Sequence, residues 1–262
     1  MNSFAPVLTL TTDYGIKDYY VALLKASLLS QIPDARIVDI SHHVPPHDIV
    51  KAAYMLKNSY EHFPANTIHL VGVNNRAQAE SSLLLTKIAT QYFVVPDNGL
   101  LSLLFDDLSE DVYQIPKIDR QEKNLRQLYT SVAKHIVSGD ALADIGQLAP
   151  SIERRITLKP VITASQIRGS VIHIDHYENV IVNIHQSLFE EVGHGRPFEL
   201  FFKRHNPLST ISAHYNEVGV GEVLCLFNEN QQLEIAISMG KAASLLGLQV
   251  DDTIQIDFKN VG

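Results

Sequence analysis

Val7-Leu8-Thr9-Leu10-Thr11-Thr12-Asp13-Tyr14-Gly15 sets the fold class. Its first six residues are apolar or β-branched, and the run breaks off at Asp and Gly, which favour turns. The next pattern, Lys17–Gln31, has Val21, Leu24 and Leu28 at helical spacing. A second β-rich run, Arg36–Ile40, precedes a second helical pattern over His47–Phe63, with Ala52 and Leu56 on its apolar face. Thr67–Val73, Ser82–Ile88 and Tyr92–Val95 read as further strands. Alternation of strand and helix at this spacing predicts right-handed βαβ units and a mostly parallel sheet. Open sheets of that kind bind ligands beyond the carboxyl ends of their strands, where Asp13 falls.

Around Leu158–Arg168 the pattern changes to short strands punctuated by Gly and Asn: Arg168–Ile174, Val180–Ile184, Pro197–Phe202, Glu222–Phe227, Leu233–Ser238 and Thr253–Phe258. One helical turn is expected over Lys241–Leu246. The expected organisation is an α/β domain over residues 1–160 and a smaller all-β domain, a sandwich or barrel, over residues 161–262.

Composition narrows the function classes. Hydrophobic residues make up 45% and charged residues 19% of 262, as in a compact globule. A formal charge of −8 with no long basic run disfavours nucleic acid as a partner. The apolar runs are far shorter than a membrane helix needs, so no membrane partner is expected. Cys225 is the only cysteine, and the first residues carry neither a basic n-region nor a long apolar h-region. Together these point to a cytoplasmic protein.

Five segments carry candidate chemistry, each beside a plainer reading. Asp13, at a strand end, offers a carboxylate for ribose hydroxyls or a cap for the next helix. Asp39-Ile40-Ser41-His42-His43-Val44-Pro45-Pro46-His47-Asp48-Ile49 holds three histidines and two aspartates within ten residues, which raises a metal reading against loop stiffening and helix capping. Pro96-Asp97-Asn98-Gly99-Leu100 suits either a tight turn or a backbone cradle. In Asp175-His176-Tyr177-Glu178-Asn179 an amide and a tyrosine ring at the tip of a turn suit a purine, or simply a hairpin. The fifth, Asn228–Ala243, is a polar hairpin followed by Leu233-Glu234-Ile235-Ala236-Ile237 and a Gly-started helix.

Taken in order, the five segments resemble the S-adenosyl-L-methionine (SAM) hydroxide adenosyltransferases, relatives of the SAM-dependent chlorinases and fluorinases. The family's Thr-Asp-Phe-Gly is matched by Thr12-Asp13-Tyr14-Gly15, and its Asp-Ile-Ser-His and Pro-Pro-x-Asp-Ile by Asp39–His42 and Pro45–Ile49. Pro-Asp-Asn-Gly-Leu recurs at Pro96–Leu100, Ile-Asp-Arg-Phe-Gly-Asn as Ile174–Asn179, and Leu-Glu-Ile-Ala-Val as Leu233–Ile237. The resemblance implies a Rossmann-like N-terminal domain, a β-barrel-like C-terminal domain, and a homotrimer binding SAM between subunits. It implies substrate-binding roles for Asp13 on the ribose hydroxyls, Asp175 on the methionine amine, and Tyr177 and Asn179 on adenine, with Ala236 in the same site. No cofactor is implied beyond SAM or adenosine as substrate or ligand.

The family's catalytic positions are not matched. Where it carries Asp in Val-Asp-Pro-Gly-Val-Gly-Thr, with Arg seven residues on, this chain has Asn74 and Ser81. Its catalytic His, eleven residues before a helical His matched to His135, is replaced by Asn124. Asn takes no proton near neutrality, and Ser cannot orient an anion as a guanidinium does. Arg76 and Glu80 lie close enough in sequence to substitute through a shifted loop. The expectation is a homologue that holds SAM or adenosine with lost or weakened hydrolase activity; an active SAM adenosyltransferase and a non-binding structural trimer are the alternatives.

Overall fold

The computed structural model describes residues 5–75, 82–108, 110–115, 125–203 and 205–259, in two compact units, Met1–Ile156 and Thr157–Gly262. In the first unit β1 (Val7–Thr12), α1 (Tyr20–Gln31), β2 (Arg36–Ser41), α2 (Ile49–Lys57) and β3 (Ile68–Gly72) alternate as expected. α1 starts later than the apolar spacing predicts, and its N-cap, Tyr19, supplies no side-chain acceptor. The long helix expected over 47–63 is split. Asn58 and Ser59 bond back to the carbonyls of Tyr54 and Met55, and only a 3-10 turn, Tyr60–His62, follows.

The chain continues through β4 (Leu83–Ile88), β5 (Gln91–Pro96), α3 (Leu100–Leu104), β6 (Val112–Ile115), α4 (Leu125–Ser138) and β7 (Gln147–Leu148). Strand order is β2-β1-β3-β5-β4-β6-β7. Pairing is parallel from β2 to β5 and antiparallel from β5 to β7, so the sheet is mixed rather than mostly parallel. Only Ala89 and Thr90 separate β4 from β5, whereas a parallel crossover needs about a dozen residues. A hairpin turn with Ala89 at φ +52° is the closure that fits.

Strand alternation divides the core of this unit into two layers. Leu70, Leu85 and Val94 pack with α1 and α4; Val71, Leu84 and Phe93 pack with α2 and α3. α1 and α2 therefore cover opposite faces, and the chain steps from β1 outward to β2, then back past β1 to β3. The carboxyl ends of β1 and β3 form a topological switch point, where two loops diverge and leave a crevice.

The second unit contains β8 (Val161–Thr163), β9 (Gln166–Ile174), β10 (Val180–His185), α5 (Gln186–Gly193), β11 (Phe198–Phe201), β12 (Val223–Phe227), β13 (Gln232–Ile237), α6 (Ala242–Leu246) and β14 (Thr253–Phe258). Its antiparallel sheet, β11-β14-β9-β10-β13-β12 with β8 on β9, curls as a half-barrel around Ile167, Val171, Val182, Leu200, Ile235 and Ile256. Two features depart from the all-β, barrel-like expectation. The edge strands β11 and β12 are not paired to each other among the described residues; a clasp of single bridges, Leu200 to Leu208 and Ile211 to Cys225, spans the open side. α5 was not legible because it follows β10 without a break; Leu188, Phe189 and Val192 turn its apolar face onto the core.

Candidate functional site

At the switch point the Asp13 carboxylate is held by backbone donors from two other loops. Its Oδ2 accepts from His47 N at 3.0 Å and from Asn74 N at 3.1 Å. Asp13 does not cap α1, whose N-cap is Tyr19. Among the described residues its other oxygen, Oδ1, makes no hydrogen bond, which leaves an acceptor for a ligand's donors.

Asn74 reaches Asp13 because its backbone sits at φ +51°, a left-handed conformation that Asn tolerates better than most residues. Asn98 holds it there. Its Nδ2 donates to Val73 O at 3.1 Å and Asn74 O at 3.4 Å, while its Oδ1 accepts from Leu100 N at 3.2 Å. Pro96–Leu100 is thus both the turn that ends β5 and a buttress for the loop after β3.

Behind Asp13 lies a pair of phenols, Tyr129 buried and Tyr14 half-buried. Tyr129 Oη donates to Val71 O at 2.5 Å and to Asn75 Oδ1 at 3.3 Å, and Asn75 Nδ2 donates to Tyr14 Oη at 3.3 Å. A Cβ at Gly72 would sit 3.0 Å from Tyr14 Oη and 3.3 Å from Asn75 Nδ2, so a larger residue at this strand end would have to displace those side chains by a few tenths of an ångström. Burial raises the pKa of both phenols, with the Asp13 charge adding to the effect, so both remain neutral.

Beside Asp13, Thr12 Oγ1 lies 2.7 Å from His42 Nδ1. Asp39 Oδ1 approaches His42 Nε2 to 3.1 Å, too far off the N–H axis for a well-aligned hydrogen bond, and Lys25 Nζ holds Asp39 Oδ2 at 2.6 Å. Burial alone would raise the Asp39 carboxyl, but Lys25 and His42 outweigh it and hold its pKa below the ordinary value. Asp48 caps α2, accepting from Lys51 N at 2.9 Å, and His47 contributes its backbone N–H. Among the described residues no group of three or more His, Cys, Asp or Glu is placed to hold a metal ion.

In the second unit Asp175 and Asn179 close the turn between β9 and β10. Asp175 Oδ1 accepts from Asn179 N at 2.8 Å and Oδ2 from Asn179 Nδ2 at 3.2 Å. Tyr177, at the tip, is 73% exposed, and its ring lies edge-on to His176 at 5.8 Å. Glu178 adopts φ +66°, at the position where the resembled family carries Gly. Its carboxylate meets Lys241 Nζ at 2.9 Å, accepts from Ser244 N at 3.1 Å and contacts Ser244 Oγ, which ties the turn to α6. Those partners lower its pKa, the Ser244 hydroxyl most.

Ala236 is fully buried on the face of β13 opposite the main core, against Leu224 and Leu226. On that face Glu234, only 4% exposed, accepts from Tyr215 Oη at 2.7 Å and Asn228 Nδ2 at 3.4 Å. Burial raises the Glu234 pKa, and the Asp175 charge adds to the rise against the opposing hydrogen bonds. Ser81, Asn124, Arg76 and Glu80 lie outside the described residues.

Sequence reading had no signal for Tyr129, Tyr215 or the bracing role of Asn98, since their partners are distant in the chain. Glu234 carried one: a lone charge in an apolar strand.

Residues 8–146 match the SAM hydroxide adenosyltransferase N-terminal domain, and residues 169–255 match the SAM hydroxide adenosyltransferase C-terminal domain. The (R)-S-adenosyl-L-methionine hydrolase of Methanocaldococcus jannaschii is 26% identical over 265 residues, covering 95% of each chain. That of Salinispora tropica is 28% identical over 262 residues, covering 96% of this chain and 97% of the relative. The crystal structure of an uncharacterized conserved protein from Thermotoga maritima superposes with a TM-score of 0.86 at 28% identity, covering 96% of this chain and 99% of that one. With both domains matched over most of its length, the chain belongs to the SAM hydroxide adenosyltransferase family.

Proposed function

We propose that this protein binds SAM or adenosine and has lost, or much weakened, the hydrolase activity for which its relatives are named. One observation carries the reading: Asp13 is built into the switch point with Oδ1 unbonded among the described residues, while the neighbouring position after β3 holds the neutral Asn74. The parallel strands β2-β1-β3 serve as a Rossmann-like platform, and Asp13 Oδ1 takes the ribose hydroxyls. Asp175 meets the methionine amine with lone pairs left after Asn179 is satisfied, Tyr177 offers its exposed ring to adenine, and Asn179 and Ala236 complete the site. Following the family resemblance, the protein is a cytoplasmic homotrimer with the ligand at a subunit interface, and no cofactor takes part.

Activation of water is the missing function. With Asn74, Ser81 and Asn124 at the family's catalytic positions, none of the three is a base or a strong cation at neutral pH. Purified protein incubated with each sulfonium epimer of SAM should release no adenosine above the uncatalysed background on chromatography. Calorimetric titration with adenosine and SAM should show binding, weakened about tenfold or more by Asn179→Ala. Turnover at a rate comparable to the hydrolases overturns the loss of activity, and absence of heat with every ligand overturns the binding reading.

A further inference from the structure

We propose that Thr12, His42 and Asp39 act as a positioning relay that sets the angle of the Asp13 carboxylate, and so controls recognition of ribose hydroxyls. The inference rests on the nucleoside reading above, and adds residues that neither touch the ligand in that reading nor serve as the core of the fold.

Thr12 is 1% exposed and His42 is 5% exposed, so both polar side chains look for partners within the protein; Thr12 Oγ1 and His42 Nδ1 find each other, while His42 Nε2 has only the off-axis Asp39 carboxylate. The ring's orientation follows from its neighbours. Asp39 is anionic, held by Lys25, and lies 3.1 Å from Nε2, so its charge, without a well-aligned hydrogen bond, favours the proton of a neutral imidazole on Nε2. Nδ1 is then a bare acceptor, and the short 2.7 Å contact is the Thr12 hydroxyl donating to it. With its hydrogen committed, Thr12 Oγ1 presents lone pairs to Tyr14 N, which donates to it at 3.4 Å. The backbone closes the circuit, because Gly15 N donates to His42 O at 2.8 Å. Asp13 is enclosed by these contacts: Thr12 precedes it, Tyr14 follows it, and the loop after His42 supplies His47 N to its carboxylate. The same order of carboxylate, imidazole and hydroxyl serves nucleophilic catalysis elsewhere, but a buried Thr12 oxygen cannot reach a substrate. Here it orients the turn.

The test separates ribose recognition from folding by comparing adenosine with 2′,3′-dideoxyadenosine, which lacks the hydroxyls assigned to Asp13. The unaltered protein should prefer adenosine. Thr12→Val, which keeps shape and loses the hydroxyl, should weaken adenosine binding about tenfold and leave dideoxyadenosine binding unchanged; Thr12→Ser should restore the preference. Asp39→Asn, a milder change at a more exposed site, should reduce the preference in the same direction. Amide hydrogen exchange without ligand supplies a second readout: Thr12→Val should speed exchange at His47 and Asn74 about tenfold while Leu10 and Leu70 keep their protection. A Thr12→Val protein that still discriminates the two nucleosides overturns the relay and leaves the nucleoside reading intact. If the unaltered protein binds neither nucleoside, the nucleoside reading fails; unchanged exchange at His47 and Asn74 then overturns the relay as well, and accelerated exchange upholds it as the device that sets Asp13.

Discussion

Asp13 and Asp175 both follow a strand, and among the described residues both carboxylates accept two hydrogen bonds, yet the donors come from very different distances along the chain. Those of Asp13 lie 34 and 61 residues away, on the loops after β2 and β3. Those of Asp175 both belong to Asn179, four residues on. The Asp175 turn forms whenever β9 and β10 pair, at little entropic cost beyond the hairpin itself. The Asp13 site exists only when three strands and two loops are assembled together, so it reports on the integrity of its whole unit. One region is locally encoded and tolerant; the other is cooperative and fragile.

The largest expected contrast is in the response to acid. In the first unit His69 is completely buried between β1 and β5, with Thr9 Oγ1 2.7 Å from Nδ1 and Gln91 Oε1 3.2 Å from Nε2. Burial pushes its pKa down to about 4, against the Gln91 contact. A histidine with a lowered folded pKa binds more protons when unfolded, so its contribution is full above about pH 6.5 and is lost as pH falls toward about 4, roughly 3 kcal/mol in all. In the second unit Glu234 has the opposite sign. Its folded pKa is raised, so its contribution is present at acid pH and lost as pH rises through the folded value. Hydrogen exchange at pH 7 and about pH 4.5, corrected for intrinsic rates, should show β1 and β3 opening more readily at low pH while β10 and β13 do not. His69→Gln should remove the low-pH loss of the first unit. If both units weaken in parallel with His69 intact, the contrast fails.

Next in size is removal of each carboxylate. Asp13→Ala leaves the N–H groups of His47 and Asn74 without their acceptor, and should destabilise the first unit by about 2 kcal/mol in urea unfolding. Asp175→Ala releases donors of Asn179 that can turn toward water, and should cost about 1 kcal/mol or less. Equal losses would show that the chain distance of the donors has no bearing on how firmly the sites are set.

The same difference explains what could be read from the sequence. Val7–Thr12, Val180–Ile184 and Thr253–Phe258 declare themselves through local apolar runs bounded by turn residues, and the Asp175–Asn179 turn through spacing alone. The antiparallel β4–β5 hairpin was equally local, and the short Ala89-Thr90 link carried the information against a parallel pairing. The Asp13 network was not legible in this way. Nothing in the local pattern says that Asn98 braces Asn74, that Tyr129 reaches Val71, or that His42 turns inward to Thr12 instead of toward a metal. Those contacts exist only once distant strands lie side by side.

The smallest predicted effect tests whether the Asp175 turn is as self-sufficient as its local bonds make it. Glu178 pays a conformational cost at φ +66°, which a glycine would avoid, and recovers it through Lys241 and Ser244. Glu178→Ala forfeits the carboxylate and keeps the strained backbone; Glu178→Gly forfeits the carboxylate and relieves the strain. The glycine variant should therefore melt about 2–4 °C above the alanine variant. Glu178→Gln, which keeps an acceptor for Ser244 and loses the charge facing Lys241, should lie close to the unaltered protein, because the Lys241 side chain is largely exposed to solvent. If alanine and glycine melt together, the backbone at this turn is unstrained, and the carboxylate alone separates this turn from the Gly-containing turn of the family.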